Sequence, residues 1–146
     1  NRIIVVGDMF HSVANIEMEW FSRWRKDLPH IKWTLVQGNH DILHNDWYAE
    51  NEIENVELIV ENNLLFTHEP SPAAIPENVS GIISGHIHPG IHLKGIGRQS
   101  ISMPCFYFSP LQCILPAFGV FTGIHIIKPK KRDFVFAIAD KKIIPI

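Results

Sequence analysis

Short apolar runs, each stopping at a small polar cluster, recur along this chain and restrict what it can fold into. Arg2-Ile3-Ile4-Val5-Val6 stops at Gly7-Asp8, and Trp33-Thr34-Leu35-Val36 stops just before Gly38-Asn39-His40-Asp41. Leu64-Leu65-Phe66-Thr67 stops at His68-Glu69, and Gly81-Ile82-Ile83-Ser84 stops at Gly85-His86-Ile87-His88. The first two, short and continuous, suit strands buried on both faces of a parallel sheet. Between them lies a helical pattern. Ile16, Trp20 and Trp24 recur every fourth residue beside Phe21 and Leu28, with Glu17, Glu19, Arg23, Arg25 and Lys26 on the other face. Asn15 is placed to cap this helix and Pro29 to stop it. Strand, loop, helix, strand is the unit of an open α/β sheet, where ligands sit beyond the carboxyl ends of the strands. The polar clusters stand at those ends.

The remainder is strand-rich. Residues 57–60 and 64–67 form a predicted hairpin around Asn62-Asn63. Further strands are expected at 101–108 and 111–115, separated by Ser109-Pro110. A closing hairpin of 133–139 and 142–146 turns at Asp140-Lys141. With no repeat, linker or low-complexity segment, residues 1–146 are expected to form a single domain. Its class is α/β, a mixed-sheet β-sandwich flanked by helices. A chain of 146 residues, 46% hydrophobic, can build a real core. The formal net charge of −2 gives no global basic field for nucleic acid, although metals alone can hold a phosphate. No apolar run approaches the roughly 18–20 residues of a membrane span, so no membrane partner is expected. Cys105 and Cys113 lie on consecutive expected strands and could face each other. As the only cysteines they are expected to be reduced core residues in a cytoplasmic setting.

Four other features are read from their surroundings. Trp20, Phe21 and Trp24 are expected to pack in the core. Trp33 and Trp47 are candidates for packing near a site entrance. Residues 71–76 read as an irregular loop bordering a cleft. Lys128-Pro129-Lys130-Lys131-Arg132 reads as a solvated basic loop, with a nucleic-acid contact as the sharper alternative.

The clusters carry metal-type donors. Asp8 is a hard carboxylate that can bridge two ions. Asn39 offers an amide oxygen and His40 an imidazole on a loop where Gly38 permits a sharp turn. His68 closes a strand, and His86 and His88 are separated by one residue and flanked by glycines. In a regular strand the two rings of His86 and His88 would point the same way; in an irregular loop they can address neighbouring metals. Taken alone, Gly7-Asp8 reads as a turn and His68 as a surface or hydrogen-bonded residue, whereas Gly38 to Asp41 and, most sharply, Gly85 to Gly90 read first as ligand loops and only then as polar turns. Four in succession, all past strand ends, are not four unrelated turns.

The order Gly-Asp, Gly-Asn-His-Asp, His, Gly-His-x-His resembles the calcineurin-like metallophosphoesterases over nearly the whole chain. The flanking residues Gly7 to Ser12, Leu65 to Pro70, Gly85 to Gly90, and Leu115 to Gly119 through Phe121-Thr122-Gly123 resemble the bacterial ligase-associated branch, tied to DNA repair. The resemblance implies a metal-dependent hydrolase of phosphodiesters, with DNA or RNA among the substrates and DNA-repair proteins among the partners. Asp8 would bridge two metals. Asn39, His68 and His86 would complete one site, and His88 would serve the other. His40 would be the general acid, Asp41 would orient it, and His11 would line the site. Such oxygen and nitrogen ligands suit Mn²⁺, Fe or Zn²⁺.

One family element has no counterpart. No Asp-x-His occurs in this sequence, and Asp8-Met9-Phe10-His11 has a different spacing. The resemblance places the absent motif on a strand upstream of Asn1. The chain is therefore expected to be N-terminally truncated, without its first strand, to hold one metal well and the other weakly or not at all, and to show weak or absent phosphodiesterase activity by itself. It is also expected to pair as a homodimer through exposed sheet edges. Two alternatives stand beside the enzyme reading: a non-catalytic scaffold of the same fold, and an inactive fragment.

Overall fold

The computed structural model describes residues 1–10, 15–70, 74–119 and 121–146. The chain divides into two compact units, Asn1–Ile59 with Phe66–His68, and Val60–Leu65 with Glu69–Ile146.

The first unit holds a parallel sheet with strand order β1-β2-β3, from β1 (Arg2–Val6), β2 (Lys32–Val36) and β3 (Ile53–Val56). Its register sets Val5 beside Leu35 and Leu35 beside Asn55. The crossovers carry α1 (Ile16–Lys26) and α2 (Asn45–Glu50). β2 is the central strand, buried from Trp33 to Val36. β1 stands at one end of the order and is only half-buried along its length, which corrects the expectation of a strand buried on both faces. Across the sheet, Arg2 donates to Thr34 Oγ1 and to Glu54 Oε2, the latter at 2.9 Å, and the Thr34 hydroxyl donates to the same carboxylate.

The side chain of Asn15 accepts the N–H of Met18 at the start of α1, as its sequence predicts, and acidic and basic residues sit at the ends their charges favour. The buried face differs in part from expectation: Phe21 packs on the core as expected, and Trp24 meets Trp33 edge-on at 5.5 Å while remaining half exposed. Met18 and Arg25 are inside, whereas Ile16, Trp20 and Trp24 are exposed. Phe21 joins the inner face, edge-on to Phe10 and Trp33. Arg25 is held inside because its guanidinium donates to the Leu28 carbonyl at 2.8 Å and to Glu52 at 3.2 Å. The core gathers Trp33, Leu35, Tyr48 and Ile53, with Phe10, Phe21 and Trp47 packed on it. Trp33 is thus a core residue, and Trp47 is half-buried against that core, on the wall of a cavity shared with Leu43 and His44.

The second unit belongs to a nine-stranded mixed sheet of order β10-β7-β8-β9-β6-β5-β4, with β11 and β12 joined through β8. Its members are β4 (Leu58–Glu61), β5 (Leu64–Thr67), β6 (Gly81–Ser84), β7 (Pro89–Lys94), β8 (Ser100–Phe108), β9 (Gln112–Ile114), β10 (His125–Ile126), β11 (Phe134–Ala139) and β12 (Lys142–Pro145). β4 and β5 form the expected hairpin. Asn62 and Asn63 both take positive φ, 53° and 61°, as a tight primed turn requires. β8 pairs β7 along Ser100–Pro104 and β11 along Cys105–Phe108. Cys113 lies opposite Phe108, and Cys105 lies opposite Ala137, so the two thiols do not face each other. Both are free, and Cys105 sits in a core with Ile91, Val135 and Ala137. Among the described residues no helix is long and apolar enough to cross a membrane.

Candidate metal centre

In the first unit, the loops leaving β1 and β2 interlock through two carboxylates. Asp8 takes φ 54°, a left-handed conformation that Asp tolerates better than most residues. Its Oδ1 accepts the N–H of His40 at 2.9 Å. In return, Asp41 reaches back under the Asp8 loop. Its Oδ2 accepts the N–H groups of Asp8 (2.7 Å) and Gly38 (2.8 Å), and its Oδ1 those of Met9 (2.8 Å) and Phe10 (3.0 Å). Asp41 is 3% exposed. Expected to orient the His40 ring, it is found fastening the loop that carries Asp8. Phe10 is fixed further by Trp47, edge-on at 4.8 Å.

His68 completes the arrangement. It is 5% exposed, at the end of β5. Its Nδ1 lies 3.2 Å from the Val6 carbonyl, which can only accept, so Nδ1 carries the proton. In the neutral ring Nε2 then bears a lone pair. That atom faces Asn39 Oδ1 at 3.1 Å and Asp8 Oδ2 at 3.4 Å. A second proton on Nε2 would donate to these two oxygens; with the ring neutral, two oxygens and a nitrogen lone pair converge, an arrangement suited to a cation between them. Hard oxygens with one imidazole fit a divalent ion of the Mn²⁺, Fe or Zn²⁺ type. A backbone carbonyl that sets the tautomer of a ligating histidine is a common supporting contact. Nothing in the sequence marks the Val6 carbonyl for that task.

Both glycines of these loops are required for space. A Cβ on Gly7, whose φ is 78°, would run into the His68 ring. A Cβ on Gly38 would strike the Asp8 carboxylate and its backbone nitrogen. Gly38 has no left-handed φ, so it serves close approach and not the sharp turn expected of it.

In the second unit, His86 and His88 lie on the loop between β6 and β7. Both take left-handed conformations, φ 63° and 53°, and Ile87 N–H donates to the Gly85 carbonyl at 2.7 Å. The loop is therefore irregular, and the alternation that would align the two rings in a strand does not apply. Leu115 and His125 are tied to its two ends. Leu115 N–H donates to Ser84 O at 2.8 Å, and His125 N–H donates to His88 O at 2.9 Å. The sequence offered no signal for β10, the two-residue strand that makes the second tie. His11, expected to line the site, lies outside the described residues, as does part of the loop 71–76.

No family model matches the sequence, and no curated protein does. Among solved structures, the crystal structure of Pseudomonas putida nuclease MPE superposes with a TM-score of 0.81 at 30% sequence identity, covering 99% of this chain and 70% of that one. Likeness at that identity over nearly the whole chain, together with the mixed α/β architecture described above, is enough to place it: the chain belongs to the family of this nuclease and has a metallophosphoesterase-like fold.

Proposed function

We propose that this protein is a metal-dependent phosphoesterase that hydrolyses phosphodiester bonds, including those of nucleic acid. The observation that carries the reading is the convergence of Asp8 Oδ2 and Asn39 Oδ1 on His68 Nε2, with the opposite ring nitrogen pinned to Val6 O. In this proposal Asp8, Asn39 and His68 of the first unit are metal ligands, and His86 and His88 of the second unit are the further ligands that the family pattern calls for. A divalent ion bound there supplies charge to the phosphoryl oxygens and lowers the pKa of a bound water. The exposed His40, anchored through its backbone to Asp8, presents an imidazole that can hand a proton to the departing oxygen. Asp41 keeps the Asp8 carboxylate in place. The left-handed backbone at Asp8, His86 and His88 costs about 1–3 kcal/mol per residue, an expense found where side chains must be aimed.

We place the chain nearest the ligase-associated branch, on the strength of the residues flanking each cluster. With that placement goes a part in DNA repair; beside it we propose a single functional domain, Mn²⁺, Fe or Zn²⁺ as the working ion, and, from the two free cysteines, a cytoplasmic setting.

The test is hydrolysis of bis(p-nitrophenyl) phosphate with Mn²⁺, Fe²⁺ or Zn²⁺ supplied. Turnover should depend on metal, stop with chelator, and fall about 10²-fold or more in His40→Ala, in line with the loss of a positioned proton donor. His68→Ala should lose the metal itself. Failure to retain any divalent ion would refute the reading. Tight binding of metal without turnover of any phosphodiester would favour the scaffold alternative.

A further inference from the structure

Gln112 opens β9, and its backbone is held on both sides. Ser109 N–H donates to the Gln112 carbonyl at 2.8 Å and Gln112 N–H donates back to Ser109 at 3.3 Å, closing the turn through Pro110-Leu111. In the parallel pair of β9 and β6, Gln112 stands level with Ile82, whose N–H donates to the Leu111 carbonyl at 2.8 Å. Alternate residues of a strand share a face. Ser84, two beyond Ile82, therefore lies on the face from which the Gln112 side chain projects. The amide of that side chain spends both N–H groups: Nε2 donates to the Pro70 carbonyl and to Ser84 Oγ, the latter at 3.1 Å. A carbonyl can only accept, so the amide has a single orientation.

The two acceptors stand where the chain leaves the sheet toward a histidine or away from one. Pro70 is the second residue after His68, beyond the end of β5, and Ser84 is the last residue of β6, two before His86. Ser84 is fully buried, and its carbonyl also receives Leu115 N–H at 2.8 Å. The neighbours β9, β6 and β5 are already joined through their backbones. The Gln112 bridge adds a tie past that ladder, at the two points where strand becomes loop. We propose that Gln112 is a positioning residue for the histidine ligands, fastening the chain that follows His68 and the base of the loop 85–88 to one rigid amide. This rests on the metal-centre reading above. Gln112 acts through those two segments, in the way that supporting hydrogen bonds orient metal ligands.

The experiment titrates Mn²⁺ into the metal-free protein by calorimetry and separately follows exchange of the Ile87 and Leu115 amides by NMR without metal. Gln112→Leu removes both donors at similar volume, and Gln112→Glu keeps the shape but sets a carboxylate against two acceptors. Both should bind Mn²⁺ about tenfold more weakly and exchange the two amides faster. Ser84→Ala removes one acceptor and should fall between them and wild type. Val135→Ala, in the core of β8 and β11, lowers stability and leaves the bridge intact; its Mn²⁺ affinity should equal that of wild type. The proposal is overturned by wild-type affinity in Gln112→Leu, or by an equal loss in Val135→Ala, which would make the effect one of stability alone. Where Gln112→Leu fails to fold, Ser84→Ala decides, and unchanged affinity there overturns the proposal. A wild-type protein that holds no Mn²⁺ refutes the reading of the centre itself, whereas metal held equally well with and without the amide refutes this proposal alone.

Discussion

Asp8 and Asp41 hold each other's loops. The Asp8 carboxylate accepts the backbone N–H of His40, next to Asp41, and the Asp41 carboxylate accepts the N–H of Asp8 and of the residues that follow it. A candidate ligand and the loop beside it are thereby positioned by one reciprocal set of bonds.

Removing Asp41 should be costly. Asp41→Ala leaves four N–H groups without their acceptor, and buried unpaired donors cost about 1–3 kcal/mol each before relaxation. A loss of about 3 kcal/mol or more is expected by urea denaturation. Asn is isosteric but sets a donor where one oxygen stood, so Asp41→Asn should fare little better. Metal affinity should fall in both, because Asp8 loses its support.

Gly7→Ala and Gly38→Ala separate two causes. At Gly7, φ of 78° adds left-handed strain of about 1 kcal/mol to a collision with His68. At Gly38 the collision with Asp8 acts alone. Both variants should keep their far-ultraviolet circular dichroism and bind Mn²⁺ about tenfold or more weakly by calorimetry, as is usual when a ligand's support is disturbed. Normal affinity in Gly38→Ala would show that the Asp8 carboxylate is not a ligand.

The Tyr107–Asp133 bond should be visible at both ends of the pH scale. The Tyr107 hydroxyl, with help from the Lys130 N–H, holds the Asp133 carboxyl below its ordinary value. Its contribution is therefore present above the unfolded pKa of about 3.9 and lost as pH falls through the lower folded value. Tyr107 itself is pushed up to about 12, chiefly by its bond to Asp133. That contribution is complete below about pH 10 and lost as pH rises toward 12. Tyr107→Phe should flatten both limbs of the stability profile. The alkaline limb should persist in part, because burial pushes Tyr48 up to about 12 as well.

Thiol reactivity should separate native from unfolded protein. Burial pushes Cys105 up to about 11 and raises Cys113 too. Alkylation by iodoacetamide at pH 7.5 should be slow for both and slower for Cys105, with two equivalents taken up on denaturation. Rapid native labelling of Cys105 would mean that the β8–β11 core opens readily.

What could be read in advance follows from the range of the forces involved. Strands made of apolar runs and turns made of Asn62-Asn63 or Asp140-Lys141 declare themselves through local chemistry, and all of these are found. β3 was missed because Glu52, Glu54 and Asn55 disguise a strand whose partner is β2. α2 is too short for a period to show, and its cap, His44, is not a favoured capping residue. α1 was located correctly and its inner face only in part: Phe21 packs inside and Trp24 meets Trp33 edge-on, but Met18 and Arg25 are buried while Ile16 and Trp20 face out. Its period gives an axis, but the inner face was chosen by contacts with Glu52, Phe10 and Trp33, far away in sequence. The candidate metal residues were legible by type and order. The Asp41 anchorage and the Val6 contact to His68 were not, because backbone groups leave no trace in residue identity.

The mutual grip of the two carboxylates has a dynamic consequence. Neither loop can lift away without stranding donors or a carboxylate belonging to the other, so the two should open as one cooperative unit. Their amides at positions 8, 9, 10, 38 and 40 should exchange with deuterium at a shared rate, and an ion seated beside them should slow all of them together.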